Sequence, residues 1–179
     1  MQEAIYTVGH GSRSTEEFLE ILREADINNL IDVRAFPGSR RHPQFGRAAL
    51  EKSLAKNGIS YVWEGKALGG RRKGKPGSQH IGLRNESFRA YADHMQTQEF
   101  VETVEQLVSH AETFAIMCAE RLPWQCHRFL ISDYLVANKK RVMHLVSKGK
   151  QQEHQLNAIA RVRGRELIYD GETQEELKL

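Results

Sequence analysis

Residues 114–118 read Phe-Ala-Ile-Met-Cys, an unbroken apolar run that is typical of a central strand covered on both faces. The next segment, Gln125 to Val136, predicts a helix, and residues 142–146 predict a further strand. Upstream, strand signals at 4–8, 30–33 and 59–63 alternate with helix signals at 14–25, 48–57, 86–95 and 97–110. This alternation predicts an α/β fold of three layers, in which a mostly parallel sheet has helices on both faces. Its core strands are expected to carry Tyr6, Ile31, Tyr61, Ile116 and Leu145.

Length and composition predict a single folded domain. The chain has 179 residues, of which 40% are hydrophobic and 27% are charged, values of a globular domain rather than of a disordered chain. We assign residues 1–146 to the α/β domain and residues 147–179 to a C-terminal extension of it, because the sequence becomes polar there. Within the extension, residues 166–169 predict an edge strand and the charged residues 172–179 predict a flexible tail.

Two observations predict a cytoplasmic protein that does not associate with membranes. The N-terminal segment lacks a basic stretch followed by a long apolar one, and no segment approaches the roughly 20 apolar residues that span a bilayer. The two cysteines, Cys118 and Cys126, are too few for the disulfide framework of a small secreted domain. The net charge of +3 is mild, but the Arg and Lys residues concentrate in predicted loops of the first half.

Parallel sheets bind ligands at the carboxyl ends of their strands, so the chemistry is expected directly after the first, second and fourth strands. After the first strand, two glycines flank His10 and precede Ser12 and Arg13. The helix that follows has free N–H groups at its start, which favour an anion. A tight turn with Ser14 as helix cap is the alternative for this segment, and it leaves His10 unexplained.

The end of the second strand carries Asp32 and Arg34, followed by Arg40 and Arg41 in a Pro-Gly loop. Alternation along a strand sends Asp32 and Arg34 to the same side, where they can pair while Arg34 also faces a ligand. For Asp32 the ion pair is the favoured interpretation. Arg40 and Arg41 either contact a phosphate or carboxylate or belong to a solvated surface.

The most specific segment follows the fourth strand and carries Cys118, Glu120, Cys126, His127 and Arg128. The last three are expected in a first helical turn, whose field lowers the pKa of a thiol and makes it more nucleophilic. Alternatively, Cys118 is a small buried hydrophobic residue. Because cations at a helix N-terminus oppose the dipole, His127 and Arg128 indicate a bound anion. This spacing matches none of the paired zinc patterns, so no metal site is predicted.

Residues 65–82 are rich in glycine, proline and basic residues and predict a long irregular loop. Its cations are Arg71, Arg72, Lys73 and Lys75, which are candidates for contacts with nucleic-acid phosphates. We expect this loop to be mobile in the free protein and to become ordered on a polyanion.

Four motifs in this order resemble the DUF488 family of bacterial and archaeal proteins: residues 8–14, 31–41, 68–71, and 117–120 with 126–128. The resemblance covers residues 4–146. Gly11 departs from the family's first motif, which often reads Gly-His-Ser. Because the function of the family is unknown, the resemblance implies a fold and a site but no reaction.

A weaker similarity links the chain to rhodanese-like and cysteine-phosphatase domains, which also join an Asp-Val-Arg strand end to a catalytic cysteine loop. The spacing differs, because those enzymes place the cysteine a few residues before an arginine in a tight cradle. Here Cys118 precedes Arg128 by ten positions, with Pro123 and Trp124 between them. The similarity is therefore an analogy.

The leading hypothesis is an enzyme that acts on a phosphate-containing small molecule, a nucleotide or a nucleic-acid component. The candidate catalytic residues are Cys118, Glu120, His10 and Cys126. The candidate anion-binding residues are Arg34, His127, Arg128, Arg13, Ser12, Arg40 and Arg41. We expect one pocket lined by His10, Arg34, Cys118 and Glu120 and closed by His127 and Arg128.

Two alternatives stay open. One is a non-catalytic nucleic-acid-binding protein that uses the basic residues of 65–82. The other is a redox sensor in which Cys118 and Cys126 form a reversible disulfide. The residues specify neither a cofactor, nor the reaction type, nor the oligomeric state.

Overall fold

The structure is a computed structural model in which residues 4–109 and 112–171 are described. Its strands are β1 (Ile5–Gly9), β2 (Asn29–Asp32), β3 (Ser60–Trp63), β4 (Phe114–Cys118), β5 (Val142–Ser147), β6 (Lys150–Glu153), β7 (Ala160–Arg163) and β8 (Glu166–Tyr169). Its helices are α1 (Thr15–Glu24), α2 (Arg47–Ala55), α3 (Gly65–Leu68), α4 (Glu86–His94), α5 (Gln98–Ser109) and α6 (Arg128–Ala137). Single 3₁₀ turns lie at Pro43–Phe45 and Pro123–Gln125. The predicted flexible tail at 172–179 lies outside the described residues.

The main sheet has the strand order β3-β2-β4-β1-β5-β6. Its first five strands are parallel, and only β6 pairs antiparallel, as a hairpin with β5. The apolar strand β4 lies between β2 and β1 and is buried along its whole length. The prediction of a mostly parallel α/β sheet is therefore confirmed. The five residues expected on core strands all lie on β1 to β5.

Two hydrophobic clusters, one on each face of the sheet, make the fold three-layered. Alternation along β4 divides its side chains, because Ile116 packs with residues of α4, α5 and α6 whereas Ala115 and Met117 pack with residues of α1 and α2. In the same way, Ile31 faces the first cluster and Leu30 faces the second. The sheet therefore has a helical layer on both faces, as the alternating pattern predicts.

Three local predictions were wrong. Residues 65–82 were predicted to be irregular throughout, but Gly65–Leu68 forms the short helix α3. The helix predicted from Gln125 begins at Arg128, because Pro123–Gln125 forms a 3₁₀ turn that ends at Cys126. The edge strand predicted at 166–169 does not join the main sheet, since β8 pairs with β7 in a separate two-stranded sheet.

A buried hydrogen-bond network joins the C-terminal segment to the sheet. The carboxylate of Asp133 on α6 accepts from His154 Nε2 at 2.8 Å and from the Tyr169 hydroxyl at 2.9 Å. His154 Nδ1 lies 2.9 Å from His144 Nε2, and His144 Nδ1 lies 2.7 Å from the Thr7 hydroxyl on β1. All five side chains are buried. The extension is therefore held to the α/β core by polar contacts as well as by packing.

The protein is expected to lose stability in mild acid through His144. Burial, together with His154 and Arg128, lowers the pKa of His144 from 6.5 to about 3. The unfolded chain therefore binds a proton between these values that the folded chain excludes, so this stability is complete above pH 6.5 and is lost as the pH falls toward 3. We expect His144 alone to lower the free energy of unfolding by about 2 kcal/mol between pH 8 and pH 5. Urea unfolding at several pH values measures this slope.

The matched variant for that experiment is His144→Asn, whose side chain cannot gain a proton. Other buried histidines titrate in both proteins, so the difference between the two slopes isolates His144. Identical slopes in the wild type and the variant would show that His144 is not excluded from protonation.

Candidate active site

The loops that follow β1, β2 and β4 meet at the carboxyl edge of the sheet. Their close approach depends on Gly9, where a Cβ would lie 1.8 Å from the Glu120 carbonyl oxygen. Backbone hydrogen bonds then join the loop after β1 to the loop after β4, from His10 N–H to Cys118 O and from Gly11 N–H to Ala119 O. The glycine after β1 is therefore required for the packing of these loops and not only for a turn.

A cavity of about 580 Å³ lies at this edge. Its lining includes the predicted residues His10, Arg34, Arg41, Cys118, Glu120, Cys126 and His127. These side chains come from three separate loops and from the turn before α6. The fold thus brings most of the sequence candidates into one concave site.

The lining of the cavity, as the described residues form it, leaves out four of the catalytic and anion-binding candidates: Ser12, Arg13, Arg40 and Arg128. Ser12 and Arg40 are exposed. Arg13 is buried, and one of its Nη atoms donates to the Val146 carbonyl. A second Nη atom lies 3.6 Å from the Glu17 carboxylate. Arg13 therefore contacts β5 and α1 rather than a ligand in the cavity.

Arg128 was expected to close the pocket, and its contacts explain why it does not. Its guanidinium donates to the carbonyls of Glu120 and Arg121, each at 2.9 Å, and to the Thr7 hydroxyl at 3.2 Å. Glu120 and Arg121 belong to the loop that follows β4, and Thr7 lies on β1. The cation at the start of α6 is thus stabilised by the protein backbone, and its position requires no bound anion.

Arg34 and Asp32 form the ion pair that their alternation predicts. Arg34 Nε donates to one Asp32 carboxylate oxygen at 2.9 Å and Nη2 donates to the other at 2.6 Å. Arg34 Nη1 donates to the Phe45 carbonyl at 2.8 Å. Burial lowers the pKa of Arg34, but the ion pair with Asp32 and the nearby Tyr61 and Cys118 have the larger combined effect. The pKa of Arg34 is therefore raised. Arg34 therefore lines the cavity in a fixed orientation, with its charge balanced by Asp32.

His10 is held in one orientation. Its ring stacks on Phe45 at 4.5 Å, and its Nδ1 lies 2.8 Å from the Gly11 carbonyl, to which it donates. Its Nε2 lies 3.4 Å from Arg34 Nη1. Burial lowers the pKa of His10, so at neutral pH the ring carries its single proton on Nδ1. Its unprotonated Nε2 then accepts from Arg34 Nη1.

The fold brings Cys118, Cys126 and His127 together. His127 Nδ1 lies 3.6 Å from Cys126 Sγ and 3.9 Å from Cys118 Sγ. His127 Nε2 lies 3.2 Å from the Val33 carbonyl, which can only accept, so Nε2 carries a proton. In the neutral ring, the Nδ1 lone pair therefore faces both sulfur atoms.

The two thiols have different pKa values. A hydrogen bond from the Cys126 thiol holds the pKa of Cys118 well below its ordinary value, against the effect of burial and with the help of His127 and Arg128. Burial, together with the adjacent Cys118, raises the pKa of Cys126. These directions favour Cys118 as the thiolate and Cys126 as its hydrogen-bond donor.

Aromatic and basic side chains at the mouth of the cavity include residues that the sequence did not single out. Phe36 is 69% exposed, and the Arg71 guanidinium lies 5.2 Å from the centre of its ring. His42 and Phe88 also line the cavity. In the sequence, the only hint of a ligand contact was a phenylalanine, Phe36, next to Pro37 in a predicted loop. The same two residues also mark the end of a strand, so the hint was not specific.

Only part of the basic loop at 65–82 faces this cavity. Arg71 lines it, whereas Arg72 donates to the carbonyls of Gly69 and Lys66. Lys75 lies 3.7 Å from the Asp93 carboxylate. Arg72 and Lys75 are thus engaged within the protein, which reduces the free charge that the loop offers to a polyanion.

The sequence of the chain matches the family model of a domain of unknown function, DUF488, over residues 14–135. The chain belongs to the DUF488 family. The match includes Arg34, Cys118, Cys126 and His127 but begins after His10. No curated protein and no solved structure matches the chain significantly, and the similarity to rhodanese-like domains remains an analogy. Among residues 4–109 and 112–171, no helix has both the length and the apolar composition needed to cross a bilayer.

Gly70 is a residue whose role only the fold reveals. A Cβ at this position would lie 2.5 Å from His127 Nδ1 and 2.9 Å from Cγ of the same ring. We expect Gly70→Ala to displace the imidazole from the sulfur atoms and to slow the alkylation of Cys118 by iodoacetamide at pH 7 by about 10-fold. The matched control is Gly74→Ala, since nothing lies within 4 Å of that Cβ. Equal rates in the two variants would contradict a role of His127 in activating the thiol.

Proposed function

We propose that this member of the DUF488 family is an enzyme that acts on a phosphate-containing small molecule, a nucleotide or a nucleic-acid component, with Cys118 as its nucleophile. The observation that carries the proposal is the position of the Cys118 sulfur. It lies at the buried end of the cavity, beside His127 and the Cys126 thiol. A positioned thiolate within a pocket is the arrangement that covalent catalysis by cysteine requires.

The charges around the cavity support an anionic substrate. Arg34, Arg41 and Arg71 line it, and Glu120 is the one acidic side chain that the described residues contribute to its lining. Arginine recognises phosphate through paired N–H donors, and an exposed ring such as that of Phe36 can pack against a nucleobase. These features favour a nucleotide over an unphosphorylated substrate.

In the proposed reaction, the Cys118 sulfur donates an electron pair to an electrophilic atom of the substrate, and the leaving group departs with the electrons of the broken bond. The leaving group takes up a proton from water, passed on by Glu120 at the cavity wall. Water then attacks the covalent intermediate, restores the thiolate and releases the second product. His10 Nε2 is the unprotonated ring nitrogen, and it accepts a proton from that water when the water replaces its contact with Arg34 Nη1.

Product analysis by mass spectrometry tests this proposal. The reduced protein is incubated separately with nucleoside mono-, di- and triphosphates, phosphorylated sugars and short single-stranded oligonucleotides. Turnover of one class by the wild type, lost in Cys118→Ser and in Glu120→Gln but kept in Lys73→Ala, would support it. Lys73 is the matched surface control, since it is exposed and does not line the cavity. Turnover that survives in Cys118→Ser would exclude the nucleophile.

A second candidate function is the redox sensor, which the proximity of the two thiols favours. The two sulfur atoms lie within 4.8 Å of each other, and a disulfide would require them to approach to about 2.05 Å. A reversible loss of two hydrogen masses in mild oxidant, with no turnover of any substrate class, would favour this function over the enzyme. The basic-loop binder is the less favoured alternative, because Arg72 and Lys75 have partners within the protein.

A further inference from the structure

Cys118, Cys126 and His127 form a set of three metal-ligating side chains that the sequence spacing did not indicate. Their sulfur and nitrogen atoms all lie within 4.8 Å of one another. In a tetrahedral zinc site, bond lengths of about 2.3 Å to sulfur and 2.0–2.1 Å to nitrogen place a sulfur and a nitrogen ligand about 3.6 Å apart. The observed distances from His127 Nδ1 are 3.6 Å to Cys126 Sγ and 3.9 Å to Cys118 Sγ. The three atoms thus require little movement to bind one ion.

The orientation of His127 is that of a metal ligand. Its Nε2–H donates to the Val33 carbonyl, and this contact turns the Nδ1 lone pair toward the two sulfurs. A backbone carbonyl that accepts from the distal nitrogen is a common support of metal-binding histidine. The ring also packs against Tyr91 at 4.9 Å, and Gly70 leaves room for it on another side. The imidazole is therefore positioned before any ion arrives.

The charge of the cluster and its open side toward the cavity both favour a bound Zn²⁺ ion. Zn²⁺ binding releases the proton of the Cys126 thiol, and the two thiolates and the divalent cation are then neutral together beside Arg34 and Arg128. Two sulfurs and one imidazole are ligands that favour Zn²⁺ over Mg²⁺ or Ca²⁺. All three residues line the cavity, so a fourth coordination position would face it. Three protein ligands and one open position are typical of zinc sites that exchange a ligand.

We propose that Cys118, Cys126 and His127 bind one Zn²⁺ ion at the buried end of the cavity. Metal binding at this site does not depend on the proposed function, whereas the inhibition that follows from it does. An ion bound to the Cys118 sulfur occupies the electron pair that the proposed nucleophile uses. Zn²⁺ therefore inhibits the enzyme, and metal occupancy controls access to the thiolate.

Titration of the reduced, metal-free protein with Co²⁺ tests the site without any substrate. We expect a sulfur-to-cobalt charge-transfer absorption that saturates at one equivalent and disappears when Zn²⁺ is added. Cys126→Ser and His127→Gln should weaken Co²⁺ binding by at least about 100-fold, because losing a ligand costs more than losing a supporting contact. His42→Gln is the matched control, since His42 lines the cavity but is not one of the three ligands.

Two outcomes would overturn the metal site. One is wild-type protein, shown to be folded and reduced, that gives no charge-transfer absorption with one equivalent of Co²⁺. The other is an absorption that is unchanged in Cys126→Ser and His127→Gln, when circular dichroism shows both variants to be folded. Failure of the proposed function is distinguishable, because it appears as absent turnover whereas the cobalt spectrum is recorded without substrate.

Discussion

Replacing Cys118 by serine is expected to lower kcat/KM for the substrate identified by product analysis by about 10³-fold or more. Serine keeps the shape of the side chain, but its hydroxyl is not ionised near neutral pH and cannot replace the thiolate that Cys126 and His127 stabilise. The fold should be retained, because Cys118 makes its polar contacts within the site rather than with the core. Steady-state kinetics and urea unfolding on the same variant separate the two effects.

Cys126→Ser is the informative partner of that variant. The proposal assigns Cys126 the role of hydrogen-bond donor to the thiolate, so its replacement should lower activity less than the replacement of Cys118. Equal activity of wild type and Cys118→Ser would contradict the mechanism. A larger loss in Cys126→Ser than in Cys118→Ser would reverse the roles of the two thiols.

Asp133→Ala is expected to lower the free energy of unfolding by about 3–5 kcal/mol. Asp133 is fully buried and accepts three hydrogen bonds, from His154 Nε2, the Tyr169 hydroxyl and the Asn157 N–H. Alanine would leave these three donors without an acceptor in the interior, and the C-terminal hairpin would lose its polar attachment to α6. Urea unfolding monitored by tryptophan fluorescence measures the change.

Asp170→Ala is the matched control for the loss of a carboxylate from the same region. Asp170 pairs with Arg161 on the surface of the hairpin, and such exposed pairs contribute little to stability. Hydrogen exchange of residues 160–169 gives a second measurement, because the hairpin should lose protection in Asp133→Ala before the main sheet does. A stable Asp133→Ala variant with an unchanged hairpin would show that the network is not required.

The sequence predicted the main sheet because β4 and its neighbours are apolar and alternate with helices. It also predicted the meeting of three loops, which follows from parallel strands whatever the loops contain. It did not predict β6, since residues 150–153 are exposed and polar and have no strand pattern. That strand forms because β5 offers backbone partners at the edge of the sheet and Gly149 adopts a positive φ in the turn.

The sequence also did not predict which groups the long side chains contact. The helix dipole led to the prediction of a bound anion at Arg128, and it could not indicate that the guanidinium donates to the carbonyls of Glu120 and Arg121. The effect of Gly70 on His127 was likewise invisible, since these residues are distant in sequence and meet only in the fold. Such contacts depend on tertiary packing, which periodicity does not encode.

The central claim is that Cys118 is a nucleophile within a cationic pocket, and alkylation at pH 7 by iodoacetate and by iodoacetamide tests it most directly. Mass spectrometry of the reduced, metal-free protein assigns the rate to each cysteine. We predict that Cys118 reacts before Cys126, and that its iodoacetate-to-iodoacetamide rate ratio exceeds that of free cysteine because Arg41 and Arg71 attract the anionic reagent. The ratio should fall in Arg41→Ala/Arg71→Ala. A ratio at or below that of free cysteine, or preferential alkylation of Cys126, would contradict the claim.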